Sequence, residues 1–226
     1  MREHENSASK VPDKKVVFVD MGETIVSFNP KFWQPIYWTL RELGYDVTER
    51  TVYRAVMRVL GEDHHPDPFI AGLSKLDIRK VLVNLGIVPR RDLVSYLESK
   101  RLLANEWTMF EDAMRFLEEK KKKGYDIVMV TNSTPDLKEI RESLNLDNYI
   151  TGYVASYEVG VLKPHPRIFR VAVDRYGYPE YHVGDVYEVD FIGAKRAGIR
   201  GIVLDRYSFY DDLKGVERVR SLLELL

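Results

Sequence analysis

The chain has 226 residues, of which 45% are hydrophobic and 31% are charged, and this balance excludes intrinsically disordered and low-complexity proteins. It contains no cysteine, which excludes a disulfide scaffold, thiol catalysis and zinc held by cysteine. The 34 Lys and Arg residues nearly equal the 35 Asp and Glu residues, so the formal net charge of -1 gives no reason to expect nucleic acid or an anionic membrane as a partner.

The amino-terminal segment, residues 1–13, is polar and lacks the apolar stretch of a secretory signal. The longest apolar runs of the chain, such as Val16–Val19, are far too short to span a bilayer. We therefore expect a soluble, cytoplasmic protein that does not enter membranes. The sequence contains no signal for an oligomeric state.

Short apolar runs predict the strands of a buried sheet. Val16–Val19, Ile127–Val130 and Ile202–Leu204 are continuously apolar, which is typical of parallel strands buried on both faces. Weaker strand signals lie at residues 153–155 and 181–184. The sequence therefore predicts up to five strands, spread over most of the chain.

Amphipathic patterns between these runs predict helices. One helix is expected to have Thr134 as its N-cap and to run towards Leu144. The other predicted helices of this part are Phe110–Lys123, Pro166–Tyr176 and Val189–Ala197. Because strands alternating with helices form a parallel sheet with helices on both faces, the expected fold class is α/β, with a Rossmann-like parallel sheet core flanked by helices.

One region interrupts the alternation with helical patterns alone. Between Asn29 and about Leu103 we find no convincing strand. We therefore predict an all-helical domain, residues 29–103, inserted into a core formed by residues 14–28 and 104–226. The four helical patterns of the insertion begin near Pro30, Thr48, Ser74 and Pro89.

Polar and charged residues follow the predicted strands and precede one of the helices. In an open parallel sheet, ligands bind beyond the carboxyl ends of the strands, near the point where the strand order reverses. The loops at this edge are expected to bring together carboxylates, one ammonium group, hydroxyls and an amide, a set that fold stability alone does not require. These candidate residues are Asp20, Gly22, Glu23, Thr131, Asn132, Lys163, Asp185 and Asp190.

In content and order, these loops resemble the four sequence motifs of the haloacid dehalogenase-like hydrolase superfamily. The first motif, Asp-x-Asp-Gly-Thr after an apolar strand, is matched by residues 20–24. The second, a Ser or Thr at the end of a strand, is matched by Thr131, and the third, a Lys before a Pro and a helix, by Lys163. The fourth, Gly-Asp followed by an acidic residue, is matched by residues 184–185 and Asp190.

The resemblance covers about residues 14–206 and implies both an architecture and a chemistry. The helical insertion corresponds to the mobile cap of the family. The implied activity is that of a Mg²⁺-dependent phosphatase that hydrolyses a small phosphorylated metabolite. Asp20 is the implied nucleophile, which attacks phosphorus to form an aspartyl-phosphate that water then cleaves.

The resemblance also assigns the other groups of the site. Thr131, a backbone N–H of Asn132 and Lys163 are expected to hold the phosphoryl oxygens, and Lys163 is counted among the catalytic residues. Asp190 is expected to pair with Lys163 and to keep it charged. The implied Mg²⁺ ligands are Asp20, the backbone carbonyl of Gly22, Asp185 and Asp190.

One position departs from the family pattern. The phosphatases of the family carry a second Asp two residues after the nucleophile, which protonates the leaving alcohol and activates water, and this position is Gly22 here. General acid–base catalysis contributes about 10²- to 10⁴-fold in rate, so the replacement matters. Glu23 is either a substitute proton donor, if the turn directs it to the site, or a solvated turn residue.

Two other functions stay open at this level. A 2-haloacid dehalogenase releases halide, which needs no proton and is compatible with Gly22. Against it, the dehalogenases of the family are metal-free and do not keep the Gly-Asp pattern seen at residues 184–185. The second alternative is a catalytically weakened family member that acts as a binding module.

Overall fold

The computed structural model describes residues 15–100 and 106–226, and the predicted domain boundaries at residue 14 and residues 103–104 lie outside them. The strands are β1 (Val16–Val19), β2 (Val26–Asn29), β3 (Glu106–Met109), β4 (Asp126–Thr131), β5 (Gly152–Ala155), β6 (His182–Gly184), β7 (Gly201–Leu204) and β8 (Arg218–Val219). The helices are α1 (Gln34–Glu42), α2 (Glu49–Leu60), α3 (Ile78–Asn84), α4 (Arg91–Ser99), α5 (Glu111–Lys122), α6 (Leu137–Ser143), α7 (Ser156–Val159), α8 (Pro166–Tyr176) and α9 (Ile192–Arg196). None of these helices is long and apolar enough to cross a membrane.

A six-stranded parallel sheet forms the centre of the molecule, in the order β5-β4-β1-β6-β7-β8. Side chains of β1 alternate between its two faces: Val17 and Val19 join one buried cluster, and Val16 and Phe18 join the other. Helix α5 packs into the first cluster and α8 into the second. The predicted α/β class, with a parallel sheet flanked by helices, is therefore confirmed.

Helices α1–α4 lie between two short strands that pair with each other. Strands β2 and β3 are antiparallel, with Val26 opposite Met109, so the chain enters and leaves the helical region at neighbouring points. The apolar faces of the four helices share one buried cluster, which also includes Val186 and Phe191 from the segment after β6. The helical region thus packs against the part of the core that follows a central strand.

Helix α6 begins later than the sequence predicts. Its first residue is Leu137 and its N-cap is Asp136, not Thr134. The hydroxyl of Thr134 donates to the Asp136 carboxylate at 3.2 Å, and the chain makes a turn at residues 135–136 before the helix starts. A local side-chain hydrogen bond therefore replaces the expected cap.

The single helix predicted over residues 189–197 is two elements. Residues 187–191 form a π-helical turn, and α9 follows it. The sequence also did not predict β2, β3 and β8. Each of these strands has only two to four residues, and β2 and β3 depend on pairing with each other across the helical region.

Candidate active site

The carboxyl edge of the sheet contains the point where the strand order reverses. From β1 the chain moves outward through β4 and β5, and it then crosses to β6, β7 and β8 on the other side of β1. Ligand crevices in parallel sheets lie at such a point. Asp20 directly follows β1, Thr131 ends β4 and Asp185 directly follows β6, so three adjacent strands deliver these residues to one crevice.

The ammonium group of Lys163 links two of the candidate carboxylates. Its Nζ lies 2.6 Å from Asp20 Oδ1 and 2.6 Å from Asp190 Oδ1. Lys163 and Asp190 are each 1% exposed. Because a buried charge requires pairing and hydrogen bonds, the three side chains form one unit, and the predicted pairing of Asp190 with Lys163 is confirmed.

Asp190 is also held by the segment after β6 and by β6 itself. The Val186 N–H donates to Asp190 Oδ2 at 3.1 Å, and His182 Nε2 lies 2.9 Å from Asp190 Oδ1. Gly184 makes this approach possible, because a Cβ at that position would lie 2.2 Å from Asp190 Cγ. In the Gly-Asp sequence, Gly184 therefore leaves room for the Asp190 carboxylate, and Asp185 places a further carboxylate at the end of β6.

Burial and neighbouring charges move the pKa values of these carboxyl groups in different directions. Burial raises the pKa of Asp20 to about 6, although Lys163 acts in the opposite sense. Burial, reinforced by the charges of Asp20 and Asp190, raises the pKa of Asp185 well above its usual value. Burial would also raise the pKa of Asp190, but Lys163 and His182 hold it below its usual range. The single ammonium group of Lys163 thus does not offset the negative charge of the three carboxylates.

The three carboxylates are close enough to share one cation. One oxygen from each of Asp20, Asp185 and Asp190 lies within 4.8 Å of the others. A donor set of anionic oxygens suits a hard divalent cation such as Mg²⁺, which would offset the repulsion among the three carboxylates. Gly22, whose carbonyl is the other predicted ligand, lies in the turn after Asp20 and forms an isolated bridge with Val26.

Thr131 and Asn132 lie at the end of β4, and the side chain of Asn132 has a partner that the sequence did not predict. Thr131 is buried. Asn132 Nδ2 donates to the Lys163 carbonyl oxygen at 2.9 Å, and Asn132 Oδ1 accepts from the Lys163 N–H at 2.7 Å. This pair of hydrogen bonds ties the end of β4 to the loop that carries the ammonium group.

Glu23 lies in the turn after Asp20 with a φ of 51°, a left-handed conformation that costs a non-glycine residue about 1–2 kcal/mol. Its carboxylate accepts from the Phe28 N–H at 2.9 Å and from the Tyr207 hydroxyl at 2.6 Å, and it lies 3.0 Å from Lys31 Nζ. These contacts stabilise the turn. Because Glu23 is 6% exposed, the interpretation as a solvated turn residue is wrong.

The helical region reaches the site through Tyr53 of α2. The Tyr53 hydroxyl donates to the Asp185 carbonyl oxygen at 3.0 Å and lies 3.3 Å from Asp185 Oδ2. Trp33 packs edge-on against Tyr53, with ring centroids 4.7 Å apart, and also contacts Tyr207. Asp20 and Asp185 are each 7% exposed, so an aromatic layer closes the crevice in this arrangement.

Sequence reasoning missed His182 and Tyr53 as contacts of the carboxylates. His182 offered one signal, because a histidine inside a strand buried on both faces needs a polar partner. Tyr53 offered none, since its place on an amphipathic helix equally fits an apolar core residue. Its partner is 132 residues away in the chain.

Comparison with known proteins places this geometry in a family. The model of the haloacid dehalogenase-like hydrolase family matches residues 14–198. The chain is 37% identical over 136 residues to the phosphoserine phosphatase of Thermus thermophilus, covering 57% of this chain and 53% of that protein. It is 28% identical over 179 residues to the glyceraldehyde 3-phosphate phosphatase of Methanopyrus kandleri, covering 75% of this chain and 72% of that protein. The chain spans about half the length of the first curated relatives that it matches.

Solved structures share the fold over nearly the full chain. A haloacid dehalogenase-type phosphatase from Thermococcus onnurineus has a TM-score of 0.56 and 21% sequence identity, with 94% of this chain and 95% of that chain covered. A 2-haloacid dehalogenase from Pseudomonas syringae pv. Tomato has a TM-score of 0.55 and 20% identity, with 94% and 96% covered. Two different activities thus occur on this fold, and the residues of the crevice must distinguish them.

Proposed function

The chain belongs to the haloacid dehalogenase-like hydrolase family and is a hydrolase, and from this premise we propose that it is a Mg²⁺-dependent phosphatase acting on a small phosphorylated metabolite through an aspartyl-phosphate at Asp20. Phosphatases that act on small molecules are among its curated relatives, which supports this choice. The proposal includes the division of the chain into a hydrolase core and a helical cap, residues 29–103.

The observation that carries the proposal is the buried unit of Asp20, Lys163 and Asp190 beside Asp185. Phosphoryl transfer depends mainly on positioning and on neutralising negative charge. Lys163 Nζ, 2.6 Å from Asp20 Oδ1, holds the Asp20 carboxylate in place and supplies positive charge beside it. Hydrogen bonds from Val186 and the contact with His182 fix Asp190, which in turn orients Lys163.

Asp20, Asp185 and the backbone carbonyl of Gly22 are the proposed ligands of Mg²⁺, with Asp190 as a further ligand or as the partner of Lys163. When bound, the ion would supply positive charge that offsets the repulsion between the carboxylates and the phosphoryl group. Asp190 Oδ1 already contacts Lys163 and His182, which favours its role as the partner of Lys163.

The phosphoryl oxygens are assigned to Thr131, the backbone N–H of Asn132 and Lys163. Attack by Asp20 on phosphorus breaks the bond to the leaving oxygen and forms the aspartyl-phosphate. Water then attacks that phosphorus and the Asp20 carboxylate departs with the bonding electrons. One proton of the water ends on the released phosphate and the other on the oxygen that left in the first step. The contact of Tyr53 with Asp185 closes the crevice during these steps and limits the entry of other water.

Phosphate release by the purified protein tests this proposal. A panel of phosphorylated metabolites is assayed with Mg²⁺ and with a chelator, and an acid-quenched phosphoenzyme is sought by mass spectrometry. We expect Asp20→Asn to lower kcat on the order of 10⁴-fold or more and to abolish the phosphoenzyme. Asp205→Asn is the matched control, since Asp205 is also buried but accepts from the Phe209 and Tyr210 N–H groups after β7.

A 2-haloacid dehalogenase is the second candidate, because Gly22 supplies no proton donor and halide needs none. The same preparation is therefore assayed for halide release from a 2-haloacid. Halide release that a chelator leaves unchanged, with no phosphate released from any substrate, would replace the phosphatase by the dehalogenase. Phosphate release that requires Mg²⁺ and Asp20 excludes the dehalogenase.

A further inference from the structure

The charged groups nearest the proposed nucleophile are already engaged with one another. The strongest charge effects on Asp20 come from Lys163 and Asp190. Lys163 donates to both carboxylates at 2.6 Å, and Asp190 accepts from Val186 and contacts His182. None of these groups is free to give a proton to a departing oxygen.

Glu23, the next carboxyl group along the chain, is engaged as well. Each of its oxygens has a partner: Oε1 accepts from the Phe28 N–H, and Oε2 accepts from the Tyr207 hydroxyl and contacts Lys31. The contacts that hold the turn thus occupy both carboxylate oxygens of Glu23, and neither oxygen is open to a departing oxygen of the substrate.

Gly22 lies between Asp20 and Glu23 in the sequence and carries no side chain. Its backbone does not require glycine, since its φ is outside the left-handed region. A Cβ added there would meet only the ring of Phe28, at 3.4 Å and 3.9 Å. The space therefore tolerates a Cβ, and neither the backbone conformation nor close packing requires glycine at this point.

We propose that this site prefers phosphates whose leaving oxygen departs without a proton, acyl phosphates above all, over alkyl phosphate esters. The inference rests on the proposed phosphatase function. Attack by Asp20 breaks the P–O bond, and the bonding electrons leave with the carboxylate of the acyl group, which needs no proton near neutral pH. An alkyl ester would have to release an alkoxide. Lys163, Asp190 and Glu23 are engaged with other partners, Asp185 is a proposed ligand of Mg²⁺, and Gly22 carries no acid that could meet it.

The basicity of the leaving oxygen sets the size of the effect. A carboxylate leaving group has a conjugate acid with a pKa of about 4, whereas the pKa of an alcohol, the conjugate acid of an alkoxide, is far higher and close to that of water. General acid catalysis contributes about 10²- to 10⁴-fold for a leaving group that needs it. We therefore expect a steep dependence of kcat/KM on the pKa of the leaving group.

A series of substrates with graded leaving groups tests the preference. With Mg²⁺ present, kcat/KM is measured for acetyl phosphate, several substituted phenyl phosphates and glycerol phosphate. For the wild-type protein, kcat/KM is expected to fall by about 10²-fold or more from the weakly basic to the alkyl leaving groups. Gly22→Asp is expected to flatten this slope by raising the rate for glycerol phosphate most.

Two variants separate the acid from other effects at the same turn. Gly22→Ala adds the Cβ without the carboxyl group, so it should change all rates by a similar factor and keep the wild-type slope. Glu23→Gln keeps an oxygen acceptor for Phe28 and should also keep the slope. A steeper slope in Glu23→Gln would identify Glu23 as the acid and overturn the inference.

A flat slope for the wild-type protein would also overturn the inference while leaving the phosphatase intact. If no phosphate of any class is cleaved and no phosphoenzyme forms, the proposed function itself fails. Should Gly22→Asp not fold, the wild-type slope together with those of Gly22→Ala and Glu23→Gln still decides the question.

Discussion

Two lysine–carboxylate clusters lie on either side of the turn that follows β1, and they differ in how completely their charges are balanced. In the first, Lys163 is shared by Asp20 and Asp190, and its side chain is 1% exposed. In the second, Lys31 pairs with a single carboxylate, that of Glu23, and also donates to the Ser27 hydroxyl, and its side chain is 18% exposed. Both clusters place an ammonium group about 3 Å or less from a carboxylate.

The two clusters differ in how many donors and positive charges serve each carboxylate. Around Glu23, a backbone N–H, a hydroxyl and an ammonium group serve one carboxylate, so its charge is fully met. Around Lys163, one ammonium group serves two carboxylates, and the oxygen of Asp185 lies within 4.8 Å of both. The cluster around Lys163 holds excess negative charge that a bound cation or a proton would offset, whereas the contacts around Glu23 stabilise the turn. Unmet charge, rather than burial, distinguishes the candidate site.

Removing each lysine in turn is the change with the largest expected effect. Lys163→Met leaves two buried carboxylates without their cation, which we expect to lower the free energy of unfolding by about 3–5 kcal/mol and to abolish phosphate release. Lys31→Met leaves Glu23 with two other donors, so the expected loss is about 1 kcal/mol and phosphate release should stay within a few-fold. Urea unfolding and the phosphate assay measure both.

Equal losses of stability in the two variants would contradict this difference. If Lys163→Met does not fold, Lys163→Arg keeps the charge and allows the test to continue. A guanidinium group cannot take the place of a compact ammonium group 2.6 Å from both carboxylates. We therefore expect Lys163→Arg to fold and to release phosphate far more slowly than the wild-type protein.

The pH dependence of stability in metal-free protein is the next largest effect. Burial raises the pKa of Asp20 from 3.8 to about 6, so between these pH values the folded protein holds a proton that the unfolded chain has lost. The folded state binds more protons there, and its stability therefore falls as the pH rises from about 4 to about 6. The fall due to this group is about 3 kcal/mol.

Urea unfolding of the wild-type protein and of Asp20→Asn, both with a chelator, isolates this contribution. The stability of the wild-type protein minus that of the variant should decrease across the window and stay level above it. Added Mg²⁺ should restore wild-type stability at neutral pH and leave the variant less affected. If the difference in stability between the two proteins is constant or increases with pH, burial does not raise the pKa of Asp20.

The sequence predicts those parts of the fold whose signals are local. Val16–Val19 and Pro166–Tyr176 have the predicted bounds, because a continuous apolar run and a proline at the first helical position define them without outside help. The π-helical turn at residues 187–191 could not be predicted in this way. It depends on Asp190 folding back against Gly184, which no helical periodicity encodes.

In the candidate site, too, some contacts could be predicted from the sequence and others depend on distant parts of the chain. The pairing of Asp190 with Lys163 follows from the order of the motifs and is observed. The contacts of Glu23 with Tyr207 and of Asp185 with Tyr53 join segments 184 and 132 residues apart. An aromatic residue in such a segment looks like any core residue until the packing is known, so these contacts require the structure.

Removing the Tyr207 hydroxyl is the mildest of these changes and tests the second cluster most directly. Tyr207→Phe keeps the ring that packs on Trp33 and removes only the hydrogen bond of 2.6 Å to Glu23 Oε2. A hydrogen bond to a charged group contributes about 1.5–3 kcal/mol, and Lys31 remains beside Glu23 to offset part of it. We expect a loss of about 1–2 kcal/mol in urea unfolding, against less than about 0.5 kcal/mol for Tyr96→Phe, where the ring is 40% exposed.

The kinetic outcome for Tyr207→Phe separates a cluster that holds the backbone from one that takes part in catalysis. If Glu23 only stabilises the turn, kcat/KM should change by a similar factor for acetyl phosphate and glycerol phosphate, because the leaving oxygen meets neither residue. If the Tyr207 hydroxyl supplies a proton through Glu23, the rate for glycerol phosphate should fall much more than that for acetyl phosphate. Such a selective loss would show that the cluster of Lys31 and Glu23 takes part in catalysis together with the cluster of Lys163. It would contradict the conclusion that the contacts around Glu23 only stabilise the turn.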